Sequence, residues 1–264
     1  MLTARLIACF DVIDGRVTKA RRFQDNIDVG DAGEIAATVY ADGIDEVIFY
    51  DILASAQRRK PDLAMIEAVA ARVFVPLTVG GGIRSLADMH DVLEAGAEKI
   101  SLDSMAVRNP PIIADGSREF GRQCIVQSMQ VRRVPVTAEI PSGYEVMIDG
   151  ARVATGLDAV AWARRGEELG AGEIVVNSID QDGTHEGYEL RITRAIADAV
   201  NLPVIASGGA GTAGHVAQAF TEGHASAAII SSLLYSPRME RTVSPGEVKA
   251  ELAKAHDLPV RPVA

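Results

Sequence analysis

The sequence has little cysteine, and its histidines show none of the short spacings that metal sites use. The 2 cysteines, Cys9 and Cys124, each stand in an apolar run, where a thiol usually behaves as a small buried hydrophobic group. We expect both to be reduced core residues. The 5 histidines pair neither with one another nor with a cysteine at ligand spacing. The sequence predicts no disulfide framework, no metal site and no cofactor.

Basic residues are also scarce, because 26 Lys and Arg stand against 36 Asp and Glu, for a formal net charge of -10 at pH 7. A surface that neutralises nucleic-acid phosphates needs the opposite balance. Long apolar runs are missing too, and the first residues (MLTARLIACFDV) reach an acidic side chain too early for a signal peptide. We expect a cytoplasmic protein that binds neither nucleic acid nor a membrane.

Apolar residues are abundant: 48% of the 264 residues are hydrophobic, enough for a large core. Short apolar runs alternate with segments of helical period, such as 61–72, from one end of the chain to the other. Eight such pairs predict an α/β fold, a single (βα)8 TIM barrel over residues 1–264. The predicted strands are 5–12, 46–51, 76–80, 99–103, 123–130, 173–179, 203–207 and 227–232.

The two halves of the chain resemble each other at an offset of 127 residues. Residues 46–51 (EVIFYD) match 173–178 (EIVVNS), and residues 76–82 (PLTVGGG) match 203–209 (PVIASGG). The repeat predicts two half-barrels, about 1–120 and 121–264. Two long connections, 13–30 and 131–155, are predicted to be loops on the catalytic rim that act as lids.

A glycine-rich turn follows a predicted strand in each half. Gly81 and Gly82 lie in the first turn, and Ser207, Gly208 and Gly209 form the second. Their N–H groups can converge on an anion, and glycine allows the backbone to approach closely at positive φ. A single turn of this kind is equally explained as a tight βα connection.

A hydroxyl stands at the end of the neighbouring strand in each half: Ser104 in the first and Ser232 in the second. Asp182 and Gly183 join the second site. Two related sites predict a substrate with a phosphate at each end. A dinucleotide fingerprint fits less well, because its G-x-G-x-x-G spacing is absent.

Taken together, the motifs of the chain resemble the cyclase subunit of imidazole glycerol phosphate synthase. They are residues 5–11 (RLIACFD), 14–19 (DGRVTK), Asp51 with 54–55 (AS), 78–83 (TVGGGI), 178–184 (SIDQDGT) and 206–211 (ASGGAG). The resemblance implies ammonia from a glutaminase partner and a substrate with two phosphates, a phosphoribulosyl aminoimidazole carboxamide nucleotide. The implied products are imidazole glycerol phosphate and an aminoimidazole carboxamide ribotide.

The resemblance makes Asp11 one of two acid/base carboxylates, places Lys19 in a mobile first loop and puts Asp51 at the substrate. The second carboxylate belongs at the position of Gln130, which the repeat pairs with Asp11. An amide cannot transfer protons near neutral pH, so we expect an altered reaction.

Four other positions depart from the family near the same pocket: Ala20, Arg22, Leu53 and Asp103. Asp103 stands where the family usually has Asn. Beside Ser104 it is expected to weaken the first phosphate site, unless Arg21, Arg22 or another cation compensates.

At the opposite end of the barrel, four charged residues match the ring that gates ammonia entry in the family: Arg5, Glu46, Lys99 and Glu173. By resemblance the glutaminase docks at this N-terminal face, and Thr78 and Ser101 line a polar path inward. A ring of structural salt bridges is the alternative.

Three functions stay open on the sequence. The first is an ammonia-using lyase or cyclase of this family, acting either on the histidine-pathway substrate or, as a paralogue, on a related phosphorylated compound. The second is a non-catalytic subunit that activates a glutaminase and conducts ammonia. The third is the sister barrel isomerase, which lacks a reason for the charged ring.

Overall fold

The computed structural model describes residues 3–21, 24–57, 59–236, 239 and 241–263. Within them the strands are β1 (Arg5–Ile13), β2 (Arg16–Arg21), β3 (Gln24–Asp31), β4 (Glu46–Asp51), β5 (Leu77–Gly80), β6 (Lys99–Leu102), β7 (Ile125–Arg133), β8 (Tyr144–Ile148), β9 (Val153–Asp158), β10 (Glu173–Ser178), β11 (Val204–Ser207) and β12 (Ala227–Ile229). The helices are α1 (Ala32–Ala41), α2 (Ala54–Gln57), α3 (Leu63–Ala70), α4 (Leu86–Glu94), α5 (Ser104–Arg108), α6 (Pro111–Phe120), α7 (Ala159–Leu169), α8 (Leu190–Ala197), α9 (Ala213–Thr221), α10 (Ser231–Tyr235) and α11 (Pro245–Ala255). A short 3-10 turn spans Arg122–Cys124.

Parallel strands close into a barrel in the described chain. The order is β1, β4, β5, β6, β7, β10, β11 and β12, and β12 pairs with β1 again. Helices lie between successive strands, as the right-handed crossover of parallel strands requires. The predicted (βα)8 barrel is confirmed.

Side chains alternate along β1 between the helices outside and the barrel interior, because successive Cβ atoms point to opposite faces of a strand. Leu6, Ala8 and Phe10 belong to the large core beneath the helices. Ile7 belongs instead to an inner cluster, whose other buried members are Ile48, Val126, Val175, Ile205, Ala227 and Ile229. The centre of the barrel is therefore packed with side chains.

The two long connections form hairpins, so the prediction of loops was wrong, whereas their role as lids stays a prediction. β2 and β3 form a first rim hairpin on β1, and β8 and β9 form a second on β7. Strands β1 and β7 both continue above the barrel, where their exposed edges need hydrogen-bonding partners. In β8, Tyr144, Val146, Met147 and Ile148 are buried, and Glu145 is partly exposed.

The structure also corrects several boundaries. Ser104 begins the short helix α5 and Ser232 lies in α10, so neither is at a strand end. Helix α3 is shorter than 61–72 because the Asp62 side chain caps it by accepting from the N–H of Met65. Cys9 and Cys124 are free, but both are partly exposed, and Cys124 lies in the 3-10 turn.

The sequence repeat is matched by a repeat of contacts at the strand ends. Asp51 Oδ1 accepts from the N–H of Ala54 after β4, and Ser178 Oγ accepts from the N–H of Gln181 after β10. The half-barrel boundaries and the single-domain assignment stay predictions. In the described part of the chain, no helix is both long and apolar enough to span a membrane.

Candidate active site

A pocket opens at the carboxyl ends of the barrel strands, the face where the active sites of such barrels lie. Its wall includes residues from six barrel strands, the first rim hairpin and the start of α10. The lining residues are Cys9, Asp11, Lys19, Tyr50, Ser128, Val175, Asn177, Asp182, Ser207, Gly208, Gly209, Ala210, Ile229, Ser231 and Ser232.

Asp11 stands on β1 in this pocket, where the first rim hairpin packs beside it. Burial raises the pKa of its carboxyl to about 6; the charge of Lys19 opposes the rise and Asp182 adds to it. A carboxyl of this pKa is ionised at neutral pH and still basic enough to accept a proton. The predicted acid/base position of Asp11 agrees with this geometry.

Lys19 lies on β2 and is 8% exposed, so it is part of a strand and not of a loose loop. The pairing of Asp11 with Thr18 across the hairpin holds the neighbouring Lys19 at the pocket. The structure thus brings Asp11 and Lys19 together, on a hairpin strand where a loop was predicted; the predicted mobility of this segment stays a prediction. Arg22 lies outside the described residues, as do the side chains of Ala20 and Arg21.

The second predicted phosphate site forms part of the same pocket. Ser207, Gly208, Gly209 and Ser232 line it, and Gly183 follows Asp182 in the loop after β10. Gly208 and Gly209 have φ of 91° and 102°, which a residue with a Cβ rarely adopts. These glycines also let two loops approach each other, since the N–H of Gly187 donates to the Gly209 carbonyl at 2.8 Å.

The first predicted site is built from equivalent elements but lies outside the lining of that pocket. Gly81 and Gly82 have φ of 93° and 74°. Ser104 Oγ accepts from the N–H of Asp149 at 3.0 Å, which ties α5 to the second rim hairpin.

Asp51 is occupied by neighbouring protein groups. Arg59 donates to both of its oxygens, at 2.5 and 2.9 Å, and the N–H groups of Leu53 and Ala54 also donate to Oδ1. Ser178 caps the equivalent turn in the other half, so the visible role of Asp51 is to hold the turn after β4. Arg59 is a cation at this site that the sequence analysis missed, because only the fold brings it to Asp51.

Gln130 and Asp103 form a pair in the wall of the barrel mouth. Gln130 Nε2 donates to Asp103 Oδ2 at 2.5 Å. Burial raises the pKa of Asp103 to about 7, against the opposing hydrogen bond from Gln130. Asp103 therefore faces Gln130, and the expectation that it weakens the first phosphate site stays a prediction.

Tyr50 and Asn177 were missed by the sequence analysis, although they are partners in the repeat at the offset of 127 and both line the pocket. The Tyr50 hydroxyl lies 3.0 Å from Ser101 Oγ and donates to Ser128 Oγ at 3.3 Å. With buried Thr78, these hydroxyls form a polar seam below the pocket beside the inner apolar cluster. Aligning the halves residue by residue could have revealed this pair.

The four charged residues at the amino ends of the strands form a closed ring. Arg5 donates to Glu46 Oε1 at 2.6 Å and to Glu173 Oε1 at 2.8 Å. Lys99 donates to the other oxygens of the same carboxylates, at 3.1 and 2.8 Å. Cations and anions alternate around the ring, and every carboxylate oxygen has one cation.

The comparisons with known proteins agree with this arrangement. Residues 5–240 match the family described as "Histidine biosynthesis protein". The chain belongs to this family. It is 57% identical over 235 residues, 89% of this chain and 91% of the relative, to imidazole glycerol phosphate synthase subunit HisF of Desulfovibrio desulfuricans.

Two further relatives in this family carry the same name. The HisF subunit of Syntrophobacter fumaroxidans is 53% identical over 235 residues, 89% of this chain and 91% of the relative. That of Nitratidesulfovibrio vulgaris is 50% identical over 249 residues, 92% of this chain and 96% of the relative. The family match over residues 5–240 extends from β1 to beyond α10, so it includes both the pocket and the charged ring.

Proposed function

We propose that this chain is the cyclase of imidazole glycerol phosphate synthase in histidine biosynthesis. It uses ammonia to convert the bisphosphorylated phosphoribulosyl aminoimidazole carboxamide nucleotide into imidazole glycerol phosphate and an aminoimidazole carboxamide ribotide. The observation that carries the proposal is the pocket holding Asp11 and Lys19, in a chain 57% identical to a HisF subunit. This similarity favours the histidine-pathway enzyme over a paralogue with another substrate.

The two glycine-lined turns hold the ends of the substrate. The second phosphate binds at Ser207, Gly208, Gly209 and Ser232, at the short helix α10 that follows the last barrel strand, a frequent phosphate position in this fold. The first binds near Gly81, Gly82 and Ser104, with Arg59 close by. A substrate held at both ends spans the mouth and passes Asp11.

Sulfate is expected to occupy both sites, the second more fully, because Lys19 lies in that pocket and Asp103 adjoins Ser104 at the first. Asp103, with a pKa of about 7, loses its charge as the pH falls. Occupancy of the first site should therefore rise from about pH 8.5 to about pH 5.5, whereas sulfate keeps its charge throughout. Anomalous scattering from crystals soaked at both pH values measures it, and two empty sites would contradict phosphate binding.

Ammonia enters through the charged ring and follows the seam of Thr78, Ser101, Ser128 and Tyr50 to the pocket. The ring lies at the amino ends of the strands, and the pocket lies at their carboxyl ends. A glutaminase subunit that docks on the N-terminal face therefore releases ammonia on the far side from the substrate, away from solvent at the mouth.

Lys99→Met is expected to lower glutamine-dependent turnover about tenfold or more while ammonium-dependent turnover changes less than about threefold, because only the first needs the ring. Lys249→Met is the matched control. Lys249 is 2% exposed and bonds Asp45 and the Gly43 carbonyl, outside the barrel interior. Both losses of a buried cation destabilise the fold, but the control should leave the ratio of the two activities unchanged. An equal fall in both activities of Lys99→Met would argue for a purely structural ring.

The proposed function is tested by incubating the chain with the histidine-pathway substrate and ammonium salt at high pH, which removes the need for a glutaminase. Imidazole glycerol phosphate is the expected product. No product, despite bound substrate and a folded chain, would indicate either a paralogue with another substrate or a non-catalytic subunit. Glutaminase activation by the chain without product would single out the latter.

A further inference from the structure

The wall of the mouth across from Asp11 holds a carboxyl group that the proposed function does not yet use. Asp103 follows β6, and Gln130 lies on β7, the third and fourth barrel strands away from β1. Gln130 is 8% exposed, and its Nε2 donates to Asp103 Oδ2 at 2.5 Å. The amide is therefore fixed against one oxygen of the carboxyl group.

Three buried oxygens in this wall have no hydrogen-bond partner among the described residues: Asp103 Oδ1, Gln130 Oε1 and Asn177 Oδ1. Asn177 pairs with Gln130 across the strands and lines the pocket, so the wall continues into the site. A buried polar atom without a partner costs about 1–3 kcal/mol. Such a group of atoms fits a ligand that supplies the missing hydrogen bonds.

The surroundings of Asp103 keep its protonation balanced near neutral pH. Burial raises its pKa to about 7, the hydrogen bond from Gln130 opposes this, Asp149 adds to it and Arg108 opposes it. Arg108 and Asp149 pair with each other, which weakens both effects. The Tyr50 hydroxyl, the other titratable group toward this side, stays neutral because burial raises its pKa.

We propose that Asp103, in the wall of the barrel mouth, is the second acid/base of the reaction, and that Gln130 is a positioning residue that orients its carboxyl group. The inference rests on the proposed function. The repeat pairs Asp11 with position 130 on β7, which Gln130 occupies. Asp103 follows β6, the barrel strand next to β7. Gln130 cannot transfer a proton, but its Nε2 bonds Asp103 Oδ2 and leaves the buried Asp103 Oδ1 without a partner among the described residues.

The proton balance of the reaction requires two such groups. Closing the imidazole ring consumes ammonia and expels water and the aminoimidazole carboxamide ribotide, so C–N bonds form while a C–O and a C–N bond break. The departing oxygen and nitrogen take up the protons that the incoming nitrogen and the methylene carbon of the new aromatic ring give up, with no net gain or loss. Asp11 removes a proton from the incoming nitrogen, and Asp103 supplies one to a departing atom.

The two groups have pKa values suited to these roles. Asp11, at about 6, is ionised above that pH, and Asp103, at about 7, is protonated below it. When the free-ammonia concentration is held constant, turnover should therefore be highest at a pH between these two pKa values and lower at more acidic and more alkaline pH.

The test compares Asp103→Asn, Gln130→Met and the exchange Asp103→Asn with Gln130→Asp, on the histidine-pathway substrate with ammonium salt. Asp103→Asn keeps the side-chain volume and should lower kcat/KM about 10²- to 10⁴-fold and remove the alkaline limb of the pH profile. Gln130→Met should lower kcat about tenfold and move that limb to higher pH, because it removes the hydrogen bond that lowers the Asp103 pKa. The exchange should recover at least about tenfold over Asp103→Asn, because it returns a carboxyl group to this wall.

A direct titration supports the kinetics. The carboxyl 13C resonance of Asp103, assigned by its loss in Asp103→Asn, should titrate near neutrality in the unmodified chain. Product from the unmodified chain and undiminished product from Asp103→Asn would overturn the role of Asp103 alone. A titration near the ordinary aspartate pKa would do the same. No product from the unmodified chain overturns the proposed function, and this role of Asp103 with it.

Discussion

Asp11→Asn is expected to lower ammonium-dependent turnover about 10²- to 10⁴-fold while the barrel stays folded. The amide has the shape of the carboxyl group but cannot accept a proton. Asp11 lies at the mouth, where burial raises its pKa to about 6. The measurement is kcat/KM for product formation from the histidine-pathway substrate.

The stability of the same variant gives an independent check with a definite sign. The pKa of Asp11 rises from 3.8 to about 6 on folding, so the ionised group disfavours the folded state above pH 6 and has no such effect below about pH 3.8. Asp11→Asn should therefore unfold at higher denaturant concentration than the parent at pH 8, and at a nearly equal concentration at about pH 3. A variant that is equally stable and nearly fully active would remove Asp11 from the chemistry.

Gly209→Ala is expected to lower the free energy of unfolding by about 2–4 kcal/mol and to abolish binding at the second phosphate site. Its φ is 102°, and an added Cβ would overlap the Gly187 carbonyl, which faces Gly209 across the hydrogen bond between their backbones. The turn must open for the methyl group to fit, and its N–H groups then no longer converge. Urea unfolding and sulfate titration measure the two effects.

Gly214→Ala is the matched control for that substitution. Gly214 lies in the first turn of α9, and the nearest atom to an added Cβ is Thr212 Oγ1 at 3.6 Å. Here alanine should leave sulfate binding unchanged and stabilise the helix by up to about 1 kcal/mol. Equal behaviour of the two variants would mean that the turn at Gly209 is not the anion site.

The barrel could be predicted from the sequence, because eight alternating pairs and the 127-residue repeat need no long-range information to be detected. It also located Asp11, both glycine turns and the charged ring, since each lies at or near the end of a strand, and parallel strands place all their ends on two faces. The rim hairpins were misjudged as loops because hairpin pairing above the barrel depends on the neighbouring strand edge, not on local propensity.

Which side chains meet within each face of the barrel depends on the folded chain and could not be predicted from the sequence. Position in the sequence places Asp103 beside Ser104 and suggests a phosphate repulsion, but the curvature of the barrel turns it toward Gln130 on the next strand. Likewise Arg59 reaches Asp51 by the path of the chain after α2. Burial is the largest cause of the raised pKa values of Asp11 and Asp103. Local sequence fixes the order of side chains along a strand, whereas desolvation and contacts between strands depend on the closed barrel.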